Sequence, residues 1–265
     1  MFFYEIDDMT NRVIATICDA VEEANAGHGG EDIWKKPLVS FIDAGDPALQ
    51  SLKLSVSVNH LMPRDILPGA KSVVCYFIPF TERIITSNIS GERASPEWAR
   101  AYIETNALIS RIGDTLETVL ARSGFSVGKI PATHNFDPEV LISDWSHRHL
   151  AAIAGLGAFG LNNMLITGEG CCGRFGSMVT DCPLEAVKKT VADKCLYKID
   201  GSCGACVQRC VGGAYPEGGF DRFACYRICL ENAEIHRDIG FADVCGKCLV
   251  GLPCSAKDPS ARRRG

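Results

Sequence analysis

CGACVQRC at residues 203–210 and CGKCLVGLPC at residues 245–254 decide how this chain is read. Nine of its fourteen cysteines fall in one stretch, in the order Cys195, Cys203, Cys206, Cys210, Cys225, Cys229, Cys245, Cys248 and Cys254. A CxxC turn offers two neighbouring thiolates from one loop, and a more distant cysteine completes the set. That is how chains ligate iron–sulfur clusters, in which each iron corner of a [4Fe–4S] cube takes one thiolate. Two CxxC pairs with outlying cysteines therefore predict two clusters.

In ferredoxin-type modules the cysteine that ends a run serves the other cluster. Cys210 and Cys254 are expected to cross in this way. The expected sets are Cys195, Cys203, Cys206 and Cys254 for one cluster, and Cys210, Cys225, Cys245 and Cys248 for the other. Two positions stay open. Strict CxxCxxCxxxC register would put the first cysteine at position 200, where Asp200 stands; either Asp200 ligates through oxygen or Cys195 reaches in, and thiolate is the usual partner. Cys229 follows Cys225 by four residues on a helix opened by Asp221, so both face one way, and Cys225 is the expected ligand.

Structural zinc needs only four cysteines per site and is the alternative reading. Disulfides fit poorly: the chain opens MFFYEIDDMTNR, acidic where a signal peptide is basic, and no stretch reaches the eighteen or so apolar residues of a membrane span. A soluble, cytoplasmic protein is expected. The 265 residues are 46% hydrophobic and 22% charged, an ordinary globular balance, and the net charge of −5 argues against a broad nucleic-acid surface. Arg262 to Arg264 read as a solvated tail.

Upstream of the cysteines the pattern alternates. Val13, Ile14, Ile17 and Val21 recur at helical spacing within 8–24, and Leu108, Ile112, Leu116, Val119 and Leu120 do so within 96–123, before Gly124. Strands are predicted over 37–42, 72–78, 125–130 and 174–181, and a helix over 144–154. Alternation of this kind predicts an α+β chain, with an α/β sandwich-like domain over 1–190 and a small ferredoxin-like two-cluster domain over 191–265. Gly155, Gly157 and Gly160 spell GxGxxG, but a helix precedes and a strand follows, the reverse of a dinucleotide-binding turn. The glycines instead predict a tight turn where backbone closely approaches another surface or a flat ligand. Cys171 and Cys172 are expected to be turn residues and Cys75 a small core side chain.

LPGAKSVV (67–74), LAAIAGLGAFGLNNMLIT (150–167), GSMVTD (176–181), CGACVQRCVGGA (203–214) and DRFAC (221–225) occur in this order, and together they resemble the epoxyqueuosine reductases. Those are cobalamin-dependent, two-[4Fe–4S] enzymes of tRNA modification, related to the reductive dehalogenases. The resemblance implies that Gly155, Gly157, Phe159 and Asn162 lie near a corrin, with Phe159 where the family has Trp and Leu161 where it has Lys. It implies that His147 and His149 approach that site or offer a lower cobalt ligand; a solvated helix end explains them equally well. The family's proton-donor aspartate falls on Leu141, with Asp137 or Asp144 as stand-ins only through a gap. Val211 replaces the usual Pro after Cys210, and the family's C-terminal tRNA-binding region has no counterpart in the sequence. The expected function is that of a shorter relative: an iron–sulfur redox protein, fed by a ferredoxin or flavodoxin, acting on a small molecule or corrinoid in its N-terminal domain. The competing expectation is an electron carrier without a catalytic site of its own.

Overall fold

The structure, a computed structural model, describes residues 2–186, 190–217 and 219–261. The arginine tail at 262–264 lies outside the described residues, as do residues 187–189 beside the expected domain boundary. In chain order the elements are α1 (Phe2–Ala26), β1 (Leu38–Asp43), α2 (Leu52–Ser55), α3 (Pro63–Ile66), β2 (Ser72–Pro79), α4 (Glu82–Ser87), α5 (Pro96–Ala121), β3 (Val127–Lys129), β4 (Phe136–Asp137), β5 (Ile142–Ser143), α6 (His147–Ile153), β6 (Ala158–Phe159), β7 (Leu165–Ile166), β8 (Gly173–Thr180), α7 (Leu196–Asp200), α8 (Ala205–Gln208) and α9 (Arg222–Ile235).

Four strands make one sheet in the order β1-β2-β8-β3, every neighbouring pair antiparallel. All eight residues of β2 are buried, because the sheet is covered on both faces. Val74, Tyr76 and Ile78 point to the face where α1 contributes Val13, Ile17 and Val21 and α5 contributes Leu108, Ile112, Leu116 and Leu120. Val73 and Cys75 point the other way, against Trp145, Leu150 and Ala154 in and beside α6. The α/β sandwich read from the sequence is thus a three-layer arrangement around an antiparallel sheet. Leu249 and Val250 belong to the same core as α1 and α5, so the cysteine-rich segment shares the apolar interior of the sheet and does not hang from it.

Local signals set the element ends. Ser95 caps α5 by accepting from Trp98 N, with Pro96 at the first helical position, and Asp221 caps α9 by accepting from Phe223 N and Ala224 N. No described helix is long and apolar enough to cross a membrane.

Candidate metal centre

Cys195 sits at the N-terminal cap of α7, Cys203 and Cys206 flank the start of α8, and Cys254 comes from the last described loop. All four line a single cavity, of about 360 Å³ including the part open to solvent, together with Asn162 and Leu252. Burial pushes the Cys206 thiol up to about 11, and the neighbouring Cys254, Cys195 and Cys203 add to the rise. Asp200 ends α7 and accepts from Ser202 N at 2.9 Å. No three Cys, His, Asp or Glu side chains among the described residues converge tightly enough for a single ion. A four-iron cube takes each thiolate at a separate corner, so its ligands surround a space instead of meeting at a point.

The second group gathers beside it. Cys248 is pushed up to about 12, first by burial and then by Cys225, with Cys245 and Cys210 adding to the rise; Cys245 feels Cys225 and Cys210 in turn. Tyr215 directs its hydroxyl at Cys248 Sγ from 3.9 Å, and Ala214 N donates to Cys210 Sγ at 3.3 Å. Cys225 and Cys229 form one hydrogen-bonded thiol pair on α9. That bond holds Cys225 down to about 7, against burial and with help from Arg148, and pushes Cys229 far up. The CGKC turn is seated on α5 at Gly246, whose φ is +73° and whose Cβ, if present, would overlap the Trp98 ring.

A seam that the sequence did not reveal joins this region to the sheet. Cys171 N donates to Cys254 O at 2.9 Å and Cys172 N to Ser255 O at 3.1 Å, just before β8 begins. Cys171 is fully buried, and its thiol is hydrogen-bonded to that of Cys254. Cys172 Sγ donates to Leu249 O at 3.2 Å. The GCCG turn is thus the splice between the sheet and the Cys254 loop. Its pairing partners lie some eighty residues away, out of reach of any local pattern.

The Gly-rich stretch folds as a hairpin, β6 against β7, closed by Gly160 N donating to Met164 O at 2.8 Å. Gly155, at φ +77°, stops α6. The close approach expected at Gly157 is to the hairpin's own Ile166 carbonyl, which a Cβ would strike. Phe159 packs on His149 with ring centroids 4.6 Å apart. Asn162 is buried, and its amide donates to Cys248 O at 3.3 Å, so it belongs to the cysteine region.

The two histidines differ. Pro131 O can only accept, so His147 Nε2 carries the proton of that 2.9 Å bond and Nδ1 accepts from Ser177 Oγ at 2.7 Å. With both nitrogens engaged, His147 is neither a solvated helix end nor free to ligate. Burial brings it down to about 4, opposed by the Pro131 bond and assisted by Arg174 and Arg148. His149 is half-buried and is also lowered to about 4, by burial and then Arg148; its Nδ1 meets Ser146 Oγ at 2.8 Å. Leu141 adopts φ +53°, while Asp137 and Asp144 are exposed and spend an oxygen on Glu139 N and Ser57 Oγ respectively.

Comparison with solved structures places this architecture. A selenomethionine-labelled epoxyqueuosine reductase matches 92% of this chain and 70% of its own at a TM-score of 0.51 and 18% identity. The Bacillus subtilis epoxyqueuosine reductase matches 91% and 68% at 0.53 and 18%. The chain has the epoxyqueuosine reductase fold. A reductive dehalogenase, whose structure suggests a mechanism for B12-dependent dehalogenation, shares it over 86% of this chain and 31% of its own at 0.56 and 17% identity. No family profile matches the sequence, and no curated protein does. On this epoxyqueuosine reductase fold, Arg148 is exposed and lies within electrostatic reach of Cys225 and Tyr215. Half-buried Arg174 stands over Tyr102 at 4.3 Å, with its Nε buried and unbonded. Arg174 lies within electrostatic reach of Asp243, so of the two arginines it is Arg148 that reaches the second cysteine group.

Proposed function

We propose that this protein is an iron–sulfur oxidoreductase in which two [4Fe–4S] clusters, held by residues 191–265, pass electrons to a cofactor or substrate held by residues 1–190. Cys195, Cys203, Cys206 and Cys254 would hold one cluster; Cys210, Cys225, Cys245 and Cys248 would hold the other. The observation that carries the reading is that four thiols from well-separated parts of the sequence line one cavity. Cys195 lines that cavity, which favours it over Asp200 as the ligand. When bound, such clusters store and relay single electrons. The chain's own contribution is to exclude water with Leu252 and the core at Leu249 and Val250, and to direct Ala214 N and Tyr215 Oη at the sulfurs. Electrons would come from a low-potential protein of the ferredoxin or flavodoxin kind.

The residues fit a corrinoid less directly. Gly155 and Gly157 are used inside the α6–hairpin unit, and only Phe159 and Asn162 remain as wall residues. Corrinoid binding distinguishes enzyme from carrier. The test is anaerobic reconstitution with iron and sulfide, followed by cobalamin titration read by its visible spectrum. About eight irons per chain are expected. Tight cobalamin uptake favours a reductase, whereas reducible clusters without uptake favour an electron carrier. Thiols that oxidise in pairs, or take up only zinc, refute the reading.

A further inference from the structure

Lys247, inside the CGKC turn, is only 1% exposed, and its ammonium is held by two main-chain carbonyls, Asn88 O at 2.8 Å and Ser90 O at 2.7 Å. Arg209, next to Cys210, donates to the carbonyl between them, Ile89 O at 2.7 Å, and to Lys247 O at 3.2 Å. Two cations from the cysteine region thus grip three successive carbonyls just past the end of α4, where the helix dipole is negative. Among the described residues neither cation meets a carboxylate within ion-pair distance. A buried ammonium without a counter-ion is costly unless something nearby is negative. The candidate is the thiolate group it sits in: Lys247 lies between Cys245 and Cys248, and against burial its main-chain N–H first, then its ammonium, lower the Cys245 thiol.

The other group differs. Lys194, beside Cys195, is neutralised by Asp258 at 2.5 Å. The second group also has Arg148 near Cys225, against Asp221, which caps α9, and Asp243, which accepts from Tyr102 Oη at 2.5 Å. The three cations named beside the second group, Lys247, Arg209 and Arg148, outnumber its two named carboxylates, whereas Lys194 beside the first group is matched by Asp258.

We propose that Lys247, supported by Arg209, is the counter-charge of the Cys210, Cys225, Cys245 and Cys248 cluster and makes that cluster the electron sink of the two. A positive charge favours the reduced, more negative state of whatever it faces. Lys247 acts here as a positioning and tuning residue, and its own protonation does not change. The inference rests on the function proposed above.

The test is a dithionite titration of the reconstituted protein followed by electron paramagnetic resonance. Each dithionite-derived radical gives one electron to a cluster, and no bond to the protein forms or breaks. Iron and sulfide are counted first, and Cys203→Ser, which removes a ligand of the first set, assigns the signals. Wild type should show the second cluster reduced first. In Lys247→Met its affinity for an electron should fall at least tenfold, about 59 mV for a one-electron couple, with the first cluster moving much less. Arg209→Gln should shift it the same way by a smaller factor. Unchanged potentials, or equal shifts in both clusters, overturn the proposal. So does loss of iron from both variants with the fold intact, because the cations would then be mechanical clamps only. A wild-type chain that takes up no iron refutes the parent reading instead, and the prior iron count tells the two failures apart.

Discussion

Taking the protein from about pH 7.5 to about pH 5.5 should cost roughly 1.3 kcal/mol of folding stability through His147 alone. The unfolded imidazole has its ordinary value of 6.5 and the folded one about 4. As pH falls the unfolded chain takes up the proton first, so stability present above 6.5 is lost between there and about 4. At about pH 5.5 the unfolded ring is about ten-elevenths charged and the native ring hardly at all, a factor of about 11, or roughly 1.4 kcal/mol; at about pH 7.5 the same term is below about 0.1. The physical cause is the buried, fully bonded ring: a proton on Nδ1 would have to displace the Ser177 hydroxyl hydrogen, and Ser177 Oγ already accepts from Trp145 Nε1 at 3.0 Å. The assay is urea denaturation under argon at both pH values, followed by tryptophan fluorescence. His149 titrates in the same window, so wild type should lose more than one proton's worth, and His147→Gln isolates the difference. The variant should be less stable at neutral pH, where one buried partner loses its bond, yet flatter with pH by about 1.3 kcal/mol. Parallel pH dependences in wild type and variant would refute the reasoning.

Three further outcomes are expected. Gly246→Ala should cost roughly 2–4 kcal/mol from the left-handed backbone and the Trp98 overlap, and should release iron from the Cys245–Cys248 turn before the first set, as seen by iron counts on the purified variant. Cys254→Ser should damage the cluster of Cys203 and Cys206, and Cys210→Ser that of Cys245 and Cys248; damage confined to each mutated cysteine's own neighbouring CxxC pair would show that the sets do not cross. Asn88→Ala removes the 2.9 Å bond to Cys245 O and the acceptor for Ser95 N from a fully buried side chain, and should lower stability by roughly 2 kcal/mol in thermal unfolding.

Much of the scaffold was readable where a pattern runs long. The stripe on α5 and the eight-residue apolar run of β2 lie within two residues of their expected bounds, because burial on a helix face or a covered strand imposes its period on the sequence. Grouping Cys195, Cys203 and Cys206 with Cys254 also picks out the four thiols that share a cavity. Reading failed where a residue's role depends on distant partners. His147 could be read as a ligand or an exposed helix end, since Ser177 and Pro131 lie outside any local window. Lys247 draws no reading from the sequence, and only the carbonyls of residues 88 and 90 show why it is buried. In the Gly-rich hairpin the strand read after the glycines contains β7, whereas the two residues of β6 are too short to carry a periodic signal and read as part of the turn.

The splice between the GCCG turn and the loop of Cys254 and Ser255 also bears on maturation. Main-chain bonds tie the Cys254 loop to the entrance of β8, a strand that needs β2 and β3 beside it. The central scaffold must therefore assemble before that thiol is in position, and a delivery system bringing inorganic cofactor too early would meet an incomplete set. If the proposed clusters bind, the same connection makes loading of the Cys254 set a check on tertiary structure: a misfolded sheet would leave that set one thiol short.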